Sequence, residues 1–111
     1  MPHAPRIELH PVNPRVQVHV DGKLLADSTQ ALELCETSYP PRHYFPRKDV
    51  RMDLLTPSET TTYCPFKGNT VYFSLGDKKD IAWSYEQPIE GMEAVAGRVA
   101  FGGERLAVQV V

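Results

Sequence analysis

The stretch Cys64-Pro65-Phe66-Lys67-Gly68 sets a thiol and an amine three residues apart. A thiolate is a nucleophile and an ammonium holds anions, so the pair could support covalent chemistry or grip a charged ligand. Pro65 pre-sets φ for the first corner of a turn, and Gly68 can take the positive φ needed to re-enter a strand. On either side lie Thr60-Thr61-Thr62-Tyr63 and Val71-Tyr72-Phe73-Ser74-Leu75, β-branched and aromatic runs that suit a pleated sheet. The pattern predicts a hairpin with Cys64 and Lys67 close together at its tip. For Cys64 to act as a nucleophile, its thiolate must be stabilised by a cation such as Lys67, Arg47 or protonated His43. The competing reading makes Cys64 a small apolar residue at a strand end and Lys67 a solvated hairpin lysine. Cys35, beside Glu33 and Glu36, has no basic neighbour in sequence and reads as structural.

A second concentration of chemistry lies in Tyr39-Pro40-Pro41-Arg42-His43-Tyr44-Phe45-Pro46-Arg47-Lys48. Its prolines oppose a regular element, so the segment is expected to be a loop. Either it forms a rim that grips an anionic or planar ligand by cation and stacking contacts, or it is a solvated loop whose aromatics plug the core. Tyr44 and Arg47 are the candidate ligand contacts here. Tyr72, Trp83 and Tyr85 are the candidates from the later strands.

The elements that must position these groups read as short strands. Val16, Val18 and Val20 alternate with polar residues before Asp21-Gly22 and Leu24 to Ser28, which is a hairpin pattern. Ala31 to Glu36 fits a strand, although its helix propensity is also good. Val50, Met52 and Leu54 alternate with Arg51 and Asp53, predicting another half-buried strand. Gly76 to Asp80 reads as a solvated polar turn, followed by Ile81, Trp83 and Tyr85 in alternation. Pro88 to Gly97 suggests a short helix of about two turns. Arg98 to Phe101 and Leu106 to Val110 suggest a closing hairpin across Gly102-Gly103. Six to eight strands and at most one short helix predict a mainly β chain, built as a small antiparallel barrel or a two-layer sandwich. The expected core contains Val16, Val18, Val20, Val50, Met52, Leu54, Val71, Phe73, Ile81 and Trp83. Residues 1–14, rich in proline, are expected to form an extended arm, and residues 15–111 a single domain.

Twelve Lys and Arg against 14 Asp and Glu leave a net charge of −2, which argues against a nucleic-acid partner met by phosphate neutralisation and against a polybasic membrane anchor. No apolar run approaches a membrane span, and the start of the chain lacks an apolar leader, so a cytoplasmic protein is expected. Two cysteines without paired Cys-x-x-Cys spacing imply no metal, and no cofactor motif is present. The open edges of a small sheet system would also be compatible with a homodimer.

Tyr44-Phe45-Pro46-Arg47, Asp49-Val50, Cys64-Pro65-Phe66-Lys67-Gly68, Tyr72 and Ala82-Trp83-Ser84-Tyr85 with Pro88 occur in an order that resembles domain-of-unknown-function family 427. The resemblance covers about Arg15 to Val110 and implies a compact, mostly β domain. Members of that family are sometimes labelled nucleotidyltransferase-like. Nucleotidyl transfer needs a phosphate-cradling loop and carboxylates that share a divalent metal, and neither stands out here. The expectation is therefore a domain that binds a small anionic or planar molecule in a basic and aromatic pocket, with Cys64 and Lys67 as candidate catalytic groups. A protein-interaction module and the nucleotidyltransferase-like activity of the label are the alternatives.

Overall fold

A computed structural model describes residues 6–103 and 106–110. Ten strands appear among them: β1 (Ile7–Val12), β2 (Val16–Val20), β3 (Lys23–Ser28), β4 (Ala31–Glu36), β5 (Arg42–Tyr44), β6 (Thr56–Cys64), β7 (Gly68–Leu75), β8 (Lys78–Ser84), β9 (Val99–Phe101) and β10 (Leu106–Val110). They form three sheets in the orders β1-β4-β5, β10-β2-β3 and β6-β7-β8-β9, with antiparallel pairing throughout. The sheets do not close into a barrel. The result is a mainly β, sandwich-like fold whose helical content among the described residues is limited to three short 3-10 turns.

Alternation explains most of this. Val16, Val18 and Val20 point one way from β2 and are 2% exposed or less. Each such side chain contributes about 1.5–3 kcal/mol by leaving water. They meet Leu25, Phe45, Phe73, Ala82 and Phe101 in one apolar cluster. A second cluster gathers Leu32, Leu34, Tyr44, Tyr85, Met92, Val95 and Ala100, with Cys64 and Trp83 packed against it. Successive residues Tyr44 and Phe45 enter different clusters because their side chains leave opposite faces of the chain. Reciprocal backbone bonds of 2.9 Å between Phe45 and Val99 stitch β5 to β9, and so the first sheet to the third. All ten expected core residues lie in these clusters or pack on them.

Several local expectations are corrected, among them the loop expected over Tyr39 to Lys48, which carries β5, paired with β4 from Arg42 opposite Leu34 to Tyr44 opposite Leu32. Within the stretch read as an arm, Ile7 to Val12 is a paired strand, in register with β4 from Ile7 opposite Glu36 to Val12 opposite Ala31. Pro11 is tolerated there because β1 is an edge. The arm's first five residues lie outside the described ones. The strand expected at Val50 to Leu54 is replaced by a 3-10 turn at Met52–Leu54, with Leu54 N bonded to Arg51 O and Leu55 N to Met52 O. The segment meets β3 only at its start, where Val50 stands opposite Ala26 and Arg51 N donates to Leu25 O at 2.8 Å, and from Met52 on it bonds to itself. The expected two-turn helix contracts to a 3-10 turn at Glu93–Val95, because Gly91 at φ +94° breaks any earlier start. The expected closing hairpin does not form either, since β9 pairs with β8 and β10 with β2. All three β9 residues are buried, which demands cover on both faces, whereas β10 is a largely exposed edge. Among the described residues, no helix is long and apolar enough to cross a membrane.

Candidate functional site

The hairpin around Cys64 forms as its sequence dictates. β6 ends at Cys64 opposite Gly68, the first residue of β7, and Lys67 N donates to Cys64 O at 3.1 Å to close the turn. Gly68 sits at φ +122°, and a Cβ on it would lie 3.1 Å from Pro88 Cα and 3.2 Å from Ile89 N. Ile89 N in turn donates to Lys67 O at 3.0 Å. The turn is therefore pinned against the segment that follows Tyr85.

Beside it opens a cavity of about 350 Å³. The period of two along each strand supplies its walls in pairs: Leu34 and Glu36 from β4, Arg42 and Tyr44 from β5, Trp83 from β8 with Tyr85 just beyond it. The turn contributes Cys64 and Lys67, β7 contributes Tyr72, and Tyr39 with Pro40 stands at the rim. Asp80 also reaches the cavity, by a different device. Simple alternation would put it on the same side of β8 as buried Ala82. The β7–β8 register shifts between Phe73 and Leu75, and Asp80 takes a left-handed φ of +56° with its N–H donating to Ser74 Oγ at 3.0 Å. This bulge re-aims the side chain.

The charges are arranged unequally. Lys67 Nζ lies 2.6 Å from Glu36 Oε1, and both side chains are almost enclosed. Burial works against the ammonium, but the hydrogen bond to Glu36 and the nearby Tyr85 and Tyr44 outweigh it, and the Lys67 pKa is raised. The amine is thus a fixed cation at neutral pH. Burial pushes the Tyr44 phenol up to about 12, and its oxygen accepts a 3.2 Å hydrogen bond from Trp83 Nε1. The hydroxyls of Ser58 and Thr60 hold the Asp80 carboxyl below its ordinary range. Arg42 differs from all of these. Its guanidinium lies 5.4 Å from the Trp83 ring centroid, yet it has no hydrogen bond or carboxylate partner among the described residues.

Of the residues singled out in the sequence, the fold brings Cys64, Lys67, Tyr44, Tyr72, Trp83 and Tyr85 to this one cavity. Arg47 is not part of its lining. It lies in a 3-10 turn (Arg47–Asp49), donates through Nε to Gly97 O at 2.7 Å, pairs with Glu86 at 2.6 Å and covers the Phe73 ring. His43 faces Glu33 at 3.8 Å on the other side of β5. The cations that share the cavity with Cys64 are therefore Lys67 and Arg42. Arg42, Glu36 and Asp80 are not singled out by the sequence pattern. The i, i+2 spacing of Arg42 and Tyr44 is the available signal for the first, masked by the surrounding prolines. Among the described residues, no group of three or more His, Cys, Asp or Glu side chains is placed to hold a metal ion.

Residues 8–111 match the family described as Domain of unknown function (DUF427) and labelled NTP_transf_9. No curated protein matches the chain.

Proposed function

Since the chain belongs to the DUF427 family, whose description names no activity, we propose from the cavity itself that the domain binds one small, planar molecule bearing an anionic group, which Arg42 receives. The observation that carries this reading is the Arg42 guanidinium, stacked on Trp83 at the cavity wall and without a hydrogen-bond or carboxylate partner among the described residues. A cation held over an indole is already oriented, and its planar donor fork matches a carboxylate or phosphate. Lys67 adds little net attraction, because Glu36 neutralises it. Trp83, Tyr72 and Tyr85 offer ring faces, and Asp80 offers an acceptor for a donor on the ligand. At about 350 Å³ the cavity is at the small end of ligand pockets, which suits a molecule of one or two rings.

Tyr39 at the rim, with 68% of its surface exposed, favours a second reading in which a partner protein docks across the cavity mouth. Thermal-shift and calorimetric screening against aromatic acids and mononucleotides separates the two. The ligand reading expects an acid-bearing ring compound to raise the melting midpoint. Arg42→Ala should weaken that compound by about 10-fold or more through loss of a charge-assisted contact. Binding that is indifferent to Arg42→Ala would overturn it.

A further inference from the structure

We infer that Cys64, Glu36 and Lys67 form a nucleophilic acyl-transfer site inside this cavity, acting on an ester or amide of the planar, anionic class of molecule. The inference rests on the binding reading above. Three groups of different chemistry line one cavity: a thiol at the end of β6, an ammonium three residues later on the same turn, and a carboxylate at the end of β4 in contact with that ammonium. Each has a distinct capacity. Lys67 is held protonated, so it serves neither as a base nor as an amine nucleophile, and its fixed charge suits a developing oxyanion. Glu36 meets Lys67 through Oε1, which leaves Oε2 without a hydrogen bond among the described residues and able to take a proton. Cys35 has none of this setting. It lies on the opposite side of β4, 3.4 Å from Glu33, and burial together with that carboxylate raises its pKa and makes its thiolate scarcer.

The steps balance. As the sulfur–carbon bond forms, the Cys64 proton passes to Glu36 and the carbonyl π pair moves onto oxygen beside Lys67. Collapse of the tetrahedral adduct breaks the bond to the alcohol or amine, which leaves with the proton from Glu36, and an acyl thioester remains on Cys64. Water then attacks that thioester and gives one proton to Glu36, which returns it to the departing sulfur. The sum is ester or amide plus water giving acid plus alcohol or amine. Arg42 and Trp83 hold the substrate's anionic end and ring while this happens.

The test uses the full chain with the mono-4-nitrophenyl ester of terephthalic acid, a planar, anionic acyl probe, and terephthalate as its unreactive counterpart. The expected result is nitrophenolate release with one acyl group per chain, located on Cys64 by peptide mass mapping and absent from Cys64→Ser. Because Glu36→Gln alone leaves Lys67 unpaired and can unfold the chain, the decisive variant is the uncharged pair Glu36→Gln with Lys67→Met. That variant should keep the terephthalate-induced rise in melting midpoint while acylating at least about 100-fold more slowly. Equal acylation of Cys35 and Cys64, or an unchanged rate in the paired variant, would overturn the inference. An Arg42-dependent midpoint shift without acylation of Cys64 would also overturn it while leaving the binding reading intact. Terephthalate that produces no Arg42-dependent shift would remove both.

Discussion

Lys67 Nζ stands 2.6 Å from Glu36 Oε1, with only 13% and 11% of the two side chains exposed, and this contact ties the β6–β7 turn to the far end of β4. Removing either partner strands the other charge away from water. Lys67→Met is therefore expected to cost about 3 kcal/mol. Combining it with Glu36→Gln should recover most of that loss, because no uncompensated charge remains. Urea denaturation of the two single variants and the double variant checks both statements through the coupling between the sites.

Gly102 is where a single methyl group would reach the cavity wall. A Cβ there would lie 2.8 Å from one Trp83 ring carbon and 3.3 Å from Arg42 Nη1. Gly102→Ala should press on the indole, alter its fluorescence and weaken the ligand several-fold. Intact far-ultraviolet circular dichroism with unchanged fluorescence and affinity would count against the placement of the Arg42–Trp83 stack.

Gly68→Ala probes the turn instead. The positive φ strains any other residue, and the new Cβ would press on backbone atoms of Gln87, Pro88 and Ile89 at 3.1 to 3.3 Å, which cannot swing away as a side chain tip can. A loss of about 2 kcal/mol is expected, measured as a lower denaturation midpoint at constant slope.

Alkaline titration provides a further check. Tyr44 rises from an ordinary 10.0 to about 12, and Lys67 is raised as well, so the fold prefers both groups protonated. Their contribution to stability is fully present below about pH 10, and for Tyr44 it is lost as pH climbs toward about 12. Tyr44→Phe should flatten that decline while giving up the hydrogen bond from Trp83 Nε1. Urea midpoints between pH 8 and 12 for wild type and variant measure it.

Strict alternation and strong turn residues make Val16 to Val20 and the Cys64 hairpin legible from the amino-acid order alone. Alternation misleads at Val50 to Leu54, because apolar side chains alternating with charged ones suit a half-buried 3-10 turn at Met52–Leu54 as well as they suit a strand. Three prolines hide β5 between them, and with it the role of Arg42. Asp80 is hidden by a backbone choice, since a left-handed residue within a strand reverses the facing that a period of two assigns. Glu36 depends on a residue 31 positions away, which no local pattern reveals. Arg47 and Arg42 are equivalent as sequence, and only the fold decides that one is tied to Gly97 and Glu86 while the other faces the cavity.

β8 lies between β7 and β9: Ala82 and Ser84 are wholly enclosed on one face, and Trp83, partly buried, packs on the second cluster from the other. Its amides should accordingly exchange with solvent deuterium only when the whole domain opens, at rates that report global stability. The wall that carries Trp83 is thus rigid before any guest arrives. Exposed Tyr39 at the rim is where ordering on binding would be concentrated. A mould of this kind discriminates by exclusion, because ring compounds one methyl group too large meet a surface that does not yield.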